Sequence, residues 1–272
     1  MTGLGLLFGG TLALAYRFLK VEEDPRIDET EERLPGNNCG ACSQPGCRAF
    51  AEKLVAGELE PSRCTVASAA ALDDIAAYLG VAVGAASKQV ARLRCAGGEG
   101  LVAELAAYRG QASCRAAVLV DGGGRACPWG CLGLADCERA CTFDAIVMTP
   151  QGLPQVDPDK CTACGDCVDV CPLDLFVLNP SDQKVFVQCN SPLAGHDATS
   201  RCAVACDACG LCAKASRGKI VMAGNLPRVD TEDLSIPPDV TWKCPTGAIQ
   251  WVEHAQFEAP KADDLGIGDD HA

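Results

Sequence analysis

Positive charge is scarce in this chain. It has 23 Lys and Arg against 36 Asp and Glu, a net charge of −13. Binding to phosphates needs a basic face, so the balance argues against a nucleic-acid partner. Histidine is scarcer still. His196, His254 and His271 all lie outside the cysteine runs described below, and no Ser–His or Cys–His arrangement is on offer for nucleophilic chemistry. There is no P-loop and no G-x-G-x-x-G after a strand; Gly122-Gly123-Gly124 reads as a turn, not a phosphate cradle. Aromatic residues make up only 5% of the chain. A full-length apolar run is missing too. Residues 1–16 are uncharged, but as a helix they span ~24 Å against a hydrocarbon core of ~30 Å.

That short run is still the one membrane candidate. Arg17 and Lys20 follow it, which favours a cytoplasmic C-terminal side. The alternative is a signal peptide, but no basic segment precedes the run and no A-x-A site follows it. The expectation is a membrane anchor over residues 1–20, eked out by flanking residues or a thinned bilayer. A charged linker with Pro25 occupies residues 21–34.

What is plentiful is cysteine: twenty in 272 residues. A disulfide framework suits small secreted domains, and this chain is much longer. Its cysteines also come in tight C-x2-C runs, which surround one metal centre better than they bridge each other. Metal–thiolate sites in a reducing compartment are therefore expected. Four-iron clusters would add negative charge to an already acidic protein.

The organisation follows the cysteines. Residues 35–80 form a first four-cysteine domain. In it, Cys47, Phe50, Ala51, Leu54 and Val55 recur at helical spacing up to Gly57, and residues 67–79 form a second helix stopped at Gly80. Residues 81–115 connect it to the rest, and AAVLV at 116–120 reads as a strand. Then comes a repeat. Cys114, Cys127, Cys131, Cys137 and Cys141 recur 75 residues later as Cys189, Cys202, Cys206, Cys212 and Ser216. The fold class expected is α+β: an N-terminal membrane helix, a small helical Fe–S domain, a two-cluster ferredoxin-like module at 116–185 and a degenerate one-cluster module at 186–252. Residues 253–272 read as an acidic tail.

The strongest motif is KCTACGDCVDVCP, with Cys161, Cys164, Cys167 and Cys171 before Pro172. In two-cluster ferredoxins the first three cysteines of such a C-x2-C-x2-C-x3-C-P run bind one cluster and the fourth crosses to the other. Zinc sites more often use two paired knuckles. The partner run holds Cys131, Cys137 and Cys141 but has Leu134 at the middle position. Cys141 then joins Cys161, Cys164 and Cys167, while Cys171 crosses to Cys131 and Cys137. The gap there is filled by Cys127, the nearest candidate, or the site holds a three-iron cluster on three cysteines.

Crossing also explains RCAVACDACGLCAKASR, which carries Cys206, Cys209 and Cys212 but ends in Ser216. Residues 225–243 contain no cysteine, so the module's second cluster and its crossing ligand are lost together. Cys244, before Pro245, serves the retained cluster and persists. The retained set is Cys206, Cys209, Cys212 and Cys244. In the first domain, Cys39, Cys42 and Cys47 sit on glycine-rich backbone, and Cys64 folds back beyond a helix to complete a third kind of cluster site; zinc is the alternative there. Cys95, Cys114, Cys189 and Cys202 remain, as buried thiols or as a fifth cluster site.

Taken in order, GLLFGGTLALA, VEEDPR, LPGNNCGACSQPGC, GCLGLADCERAC and CTACGDCVDVCPLDLFVL resemble the B subunit of Rnf-type ion-translocating ferredoxin:NAD oxidoreductase complexes over nearly the whole chain. The cysteine sets would hold four [4Fe-4S] clusters; the resemblance implies an electron-relay subunit of a translocase, not a catalyst with its own substrate site. It implies soluble ferredoxin and the membrane subunits as partners. It also implies a single anchor in the inner membrane, with the Fe–S domains on the cytoplasmic side. A polyferredoxin serving another oxidoreductase is the alternative. The chain departs from the family at Ser43, usually Gly, at Thr142, usually Pro, and in the lost cluster of its last module. Arg201, Lys214, Arg217 and Lys219 surround the last motif, either as a patch that docks an acidic ferredoxin or as a solvated face.

Overall fold

The computed structural model describes residues 8–11, 14, 24–85, 88–230 and 233–257. They divide into two compact units, residues 1–85 and 86–272. The expected N-terminal membrane helix is corrected: among the described residues, no helix is long and apolar enough to cross a membrane. The physical reason is in the run itself, whose ~24 Å falls short of a bilayer core. The rest of the segment proposed as an anchor lies outside the described residues, as do residues 258–272 of the acidic tail.

The first unit is helical. The stretch read as a linker forms α1 (Pro25–Arg33), with Asp24 accepting the Arg26 amide at 2.9 Å as its N-cap and proline at the first turn. Its charges looked like a solvated linker but pair with neighbouring helices. Arg33 meets Asp74 at 3.1 Å and stacks over the Tyr78 ring, and Arg48 reaches Asp28 and Glu31 at 2.8 and 3.0 Å. Ile27 and Leu34 join the core made by Phe50, Ala51, Leu54 and Ile75. Those residues come from α2 (Cys47–Val55) and α3 (Ala69–Leu79), the latter capped by Ser68 and by Gly80 in the left-handed region. Gly46 enters α2 against Asn38, whose Oδ1 accepts the Cys47 amide at 2.7 Å; a Cβ on Gly46 would lie 2.8 Å from that oxygen.

Among the described residues, the second unit is built from four two-stranded antiparallel ribbons and short helices. β1 (Gln89–Leu93) pairs with β4 (Phe176–Pro180), β2 (Ile146–Met148) with β3 (Pro154–Val156), β5 (Val185–Val187) with β8 (Ile249–Trp251), and β6 (Ile220–Ala223) with β7 (Leu226–Val229). The β1–β4 register places the supposed connecting segment inside the first module's sheet. The expected strand at 116–120 is instead α4 (Cys114–Val118). Only Ala117 of that stretch is buried, while Leu119 and Val120 are exposed, so it has no alternating face for a sheet to cover.

Of residues 253–257, assigned to the tail by composition, Ala255 and Gln256 are buried. Gln256 is buried and acts as a strand edge for Leu93: its Oε1 accepts the Leu93 amide at 2.8 Å, and its Nε2 donates to the Leu93 carbonyl at 3.0 Å. Gln256→Ala orphans both backbone groups. Each orphan costs about 1–3 kcal/mol, so the variant is expected to show a clearly lower denaturant midpoint at unchanged iron content.

Three loops share one conformation. Gly133, Ala163 and Ala208 have φ of 72°, 58° and 62°; Ala135, Gly165 and Gly210 have φ of 60°, 98° and 68°. Each loop leads directly into a five-residue helix: α5 (Asp136–Ala140), α6 (Asp166–Val170) and α8 (Leu211–Ala215). A separate short helix, α7 (Gly195–Thr199), precedes the third loop. The last loop ends differently. Ser216 is buried, its Oγ accepting the Ile220 amide and donating to the Ala213 carbonyl, both at 2.9 Å. Around it Ile220, Ile236, Val240 and Ile249 close an apolar core, consistent with a module half that holds no second cluster.

Candidate metal centres

All twenty cysteines carry free thiols. Three of the four expected sets each line a single pocket. Cys39, Cys42, Cys47 and Cys64 share one, floored by Phe50. The α2 N-terminus supplies Cys47, and the 3-10 turn Pro61–Arg63 turns Cys64 back toward it. Burial pushes the Cys42 thiol up; the Gln44 amide opposes this, and nearby Cys64 and Cys39 add to it.

Cys161, Cys164 and Cys167 share a second pocket with Cys141, beneath Phe143 and Ile146. Cys141 arrives from the end of α5, in the partner cysteine run of the same module, as crossing requires. Burial pushes the Cys167 thiol up to about 12, helped by Cys161, Cys164 and Cys141. The third pocket holds Cys206, Cys209, Cys212 and Cys244. Cys244 follows the 3-10 turn Pro238–Lys243, which packs on α8. Cys206 is pushed up to about 11, chiefly by burial, against the Ala208 amide.

The fourth set differs from the expected one. Cys131, Cys137 and Cys171 belong to one apolar cluster. That cluster also holds Cys95, Cys141, Cys161 and Cys167; outside it, Cys114 is the thiol that acts electrostatically on both Cys131 and Cys137. Burial pushes Cys137 up to about 12, with Cys114 its leading thiol neighbour and Cys171 after it. The placement has a visible cause. Asp136, beside Cys137, accepts from Ser113 Oγ at 3.0 Å and from the Arg115 amide at 3.3 Å, which fixes Cys114 between them. Arg139 donates to the Ala112 carbonyl at 2.9 Å from the same helix. Cys127 lies elsewhere, buried with Cys189 and Cys202. Cys114 was missed because it is remote in sequence from Cys131, and local spacing carries no signal across that gap. Leu134 occupies the place of Cys164 and Cys209 in the shared loop, as expected from the spacing.

The chemistry of these sets suits thiolate-bound clusters. Amide donors face the sulfurs two residues along: Gln44 at Cys42, Gly133 at Cys131, Asp166 at Cys164, Ala208 at Cys206 and Leu211 at Cys209. Such donors stabilise a thiolate and tune the potential of what it binds. The left-handed residues of the loops turn those amides inward. Among the described residues, no group of three or more His, Cys, Asp or Glu side chains is arranged to hold a single metal ion. A cube of iron and sulfide holds its four thiolates farther apart than one ion does. When bound, such a group supplies one-electron redox chemistry with little change of geometry.

Of the basic residues around the last motif, two are already engaged. Lys219 donates to the Ser235 carbonyl at 2.8 Å and meets Asp233 at 3.0 Å, and Arg201 donates to the Ala126 carbonyl at 2.8 Å. Lys214 and Arg217 are exposed.

Residues 34–66 match the family described as "Putative Fe-S cluster", and residues 153–176 match a "4Fe-4S binding domain". The chain is 40% identical over 246 residues to the B subunit of the Na(+)-translocating ferredoxin:NAD(+) oxidoreductase complex of Acetobacterium woodii, covering 90% of this chain and 74% of that one. It is 38% identical to the B subunit of the proton-translocating ferredoxin:NAD(+) oxidoreductase complex of Clostridium ljungdahlii, covering 92% and 89%. It is 37% identical to the B subunit of the ion-translocating oxidoreductase complex of Methanosarcina acetivorans, covering 92% and 95%. The chain belongs to the family of B subunits of ion-translocating ferredoxin:NAD oxidoreductase complexes.

Proposed function

We propose that this chain is the electron-relay subunit of such a complex, passing single electrons between soluble ferredoxin and the membrane subunits. It would hold at least four [4Fe-4S] clusters: on Cys39, Cys42, Cys47 and Cys64; on Cys141, Cys161, Cys164 and Cys167; on Cys206, Cys209, Cys212 and Cys244; and on Cys131, Cys137 and Cys171 with Cys114 in place of Cys127. The observation that carries this reading is the convergence of four cysteines on each of three pockets, two of them completed by a cysteine from a distant stretch of chain. The protein's part is to bury the thiolates, aim amides at them and exclude water. The free thiols support a reducing, cytoplasmic face.

Ferredoxin docks, in this reading, beside the Cys206–Cys244 site, where Lys214 and Arg217 stand exposed in an acidic protein. Arg201 and Lys219 serve the fold instead. Reversing both exposed charges to Glu is expected to slow reduction by acidic ferredoxin about tenfold at low salt and to flatten its salt dependence. Stopped-flow bleaching of the cluster absorbance at two ionic strengths reads this out. An unchanged salt slope would remove the docking site. No bleaching of the unaltered protein by ferredoxin would remove the relay.

A further inference from the structure

Four cysteines are left over by those sets: Cys95, Cys127, Cys189 and Cys202. We propose that together they hold a fifth iron–sulfur cluster, which joins the two ferredoxin-like modules into one electron path. The proposal rests on the relay reading above and goes beyond its four sites.

Backbone hydrogen bonds gather the four from distant parts of the chain, each bond next to one of them. The Ala96 amide donates to the Gln188 carbonyl at 3.0 Å, tying Cys95 to Cys189. The Ala103 amide donates to the Arg201 carbonyl and the Ala126 amide to the Ala103 carbonyl, both at 2.8 Å, tying Cys202 to Cys127 through one shared residue. Val102 bridges to Cys202 directly. The sulfurs converge as well. A Cβ on Gly97 would lie 2.9 Å from Cys202 Sγ and 3.7 Å from Cys95 Sγ, so both sulfurs border the space that this glycine leaves open. Cys127, Cys189 and Cys202 share one buried cluster with Val102 and Ala198. All four thiols are less than 9% exposed.

Buried thiols are common as plain packing groups. These are dressed differently. Cys95 Sγ accepts the Cys131 amide at 3.2 Å and is also faced by the Gly97 amide. Trp129 N–H faces Cys127, and Val204 N–H faces Cys202. This is the same two-residue offset seen at Cys131, Cys164, Cys206 and Cys209. A neutral packed thiol is a weak acceptor with little need of such donors; a cluster-bound thiolate uses them. Two guanidinium groups stand alongside. Arg125 donates to the Gly97 and Cys131 carbonyls at 3.1 and 2.8 Å, and Arg201 to the Ala126 carbonyl at 2.8 Å. They offset the negative charge that four thiolates would bring.

The position gives the site its role. Its Cys95 touches Cys131 of one module, and its Cys189 neighbours Cys206 of the other. Held by Cys95, Cys127, Cys189 and Cys202, a centre here would take one electron from a reduced cluster on one side and give it to an oxidised one on the other, each hop oxidising one centre and reducing the next with no bond or proton exchanged.

The test is an iron, sulfide and zinc count on anaerobically purified full-length protein, with EPR at graded potentials. The unaltered chain is expected to hold about twenty irons and as many sulfides, against about sixteen for four clusters alone. Cys189→Ala with Cys202→Ala is expected to lose about four of each, together with one EPR-active centre. The proposal is overturned by about sixteen irons in the unaltered chain, by zinc in place of iron at this site, or by a double variant that keeps every iron. Should the variant not fold, the count on the unaltered chain decides. Sixteen irons defeat the fifth site and leave the relay standing; an absence of sulfide defeats the relay itself.

Discussion

Stripping iron from the protein will unfold the second unit. Its regular elements are short: helices of five residues and strands of three to five. A five-residue helix is far below the length at which helices hold in water alone, and a two-stranded ribbon is marginal by itself. Large side chains are also few, with Leu93, Leu175, Ile220 and Val90 among the largest fully buried in this unit. The weight falls on the cysteine sets, which tie distant stretches together. Metal–thiolate binding contributes on the order of 10 kcal/mol to the folding of small metal domains. That is comparable to the whole stability of an ordinary domain, about 5–15 kcal/mol. Anaerobic chelation should therefore collapse far-UV circular dichroism and open residues 88–257 to limited proteolysis, and iron with sulfide should restore both. A chelated protein with unchanged dichroism and unchanged cleavage would show that the sets are not what holds the fold.

Substituting the crossing ligands should exchange the losses between loops. Cys141 follows Cys131 and Cys137 in the chain but lines the pocket of Cys161, Cys164 and Cys167. Cys171 follows those three but is an electrostatic neighbour of Cys137 in the other set. Cys141→Ala is thus expected to remove or degrade to three irons the cluster on the 161–167 loop, leaving the other intact. Cys171→Ala should do the reverse. Cys244→Ala should abolish the cluster on Cys206, Cys209 and Cys212, although these residues lie more than thirty positions away. EPR of each reduced variant, set beside Cys164→Ala and Cys137→Ala as references, identifies which signal disappears. If Cys141→Ala matched Cys137→Ala, the ligands would be local and the crossing wrong.

The pocket that Cys141 shares with Cys161, Cys164 and Cys167 was legible in the sequence because it follows from spacing. Cysteines at x2, x2 and x3 before a proline leave the fourth sulfur on the far side of a short helix, and the joint loss of Cys at 216 and in 225–243 pointed to Cys244 as the survivor. Local spacing could not find Cys114. Its approach to Cys137 depends on Ser113 and Arg115 both bonding Asp136, a tertiary match with no period. The same limit separated Cys127 from its expected partners and hid its company with Cys189 and Cys202. Composition misled at both ends of the described chain. The charges of residues 25–33 pair with Asp74 and Arg48 from other helices, so a polar stretch is a packed helix. Gln256 sits in a polar-looking terminal stretch but serves as a strand edge for Leu93. The apolar N-terminal run suggested a membrane span, whereas among the described residues no helix is long and apolar enough to be one.

An anaerobic EPR redox titration of the full-length protein, with spins integrated against iron and acid-labile sulfide, tests the relay most directly. At least four one-electron [4Fe-4S] centres per chain are predicted, all reducible by ferredoxin. Zinc without sulfide, or a single reducible centre among otherwise inert thiols, would contradict the relay.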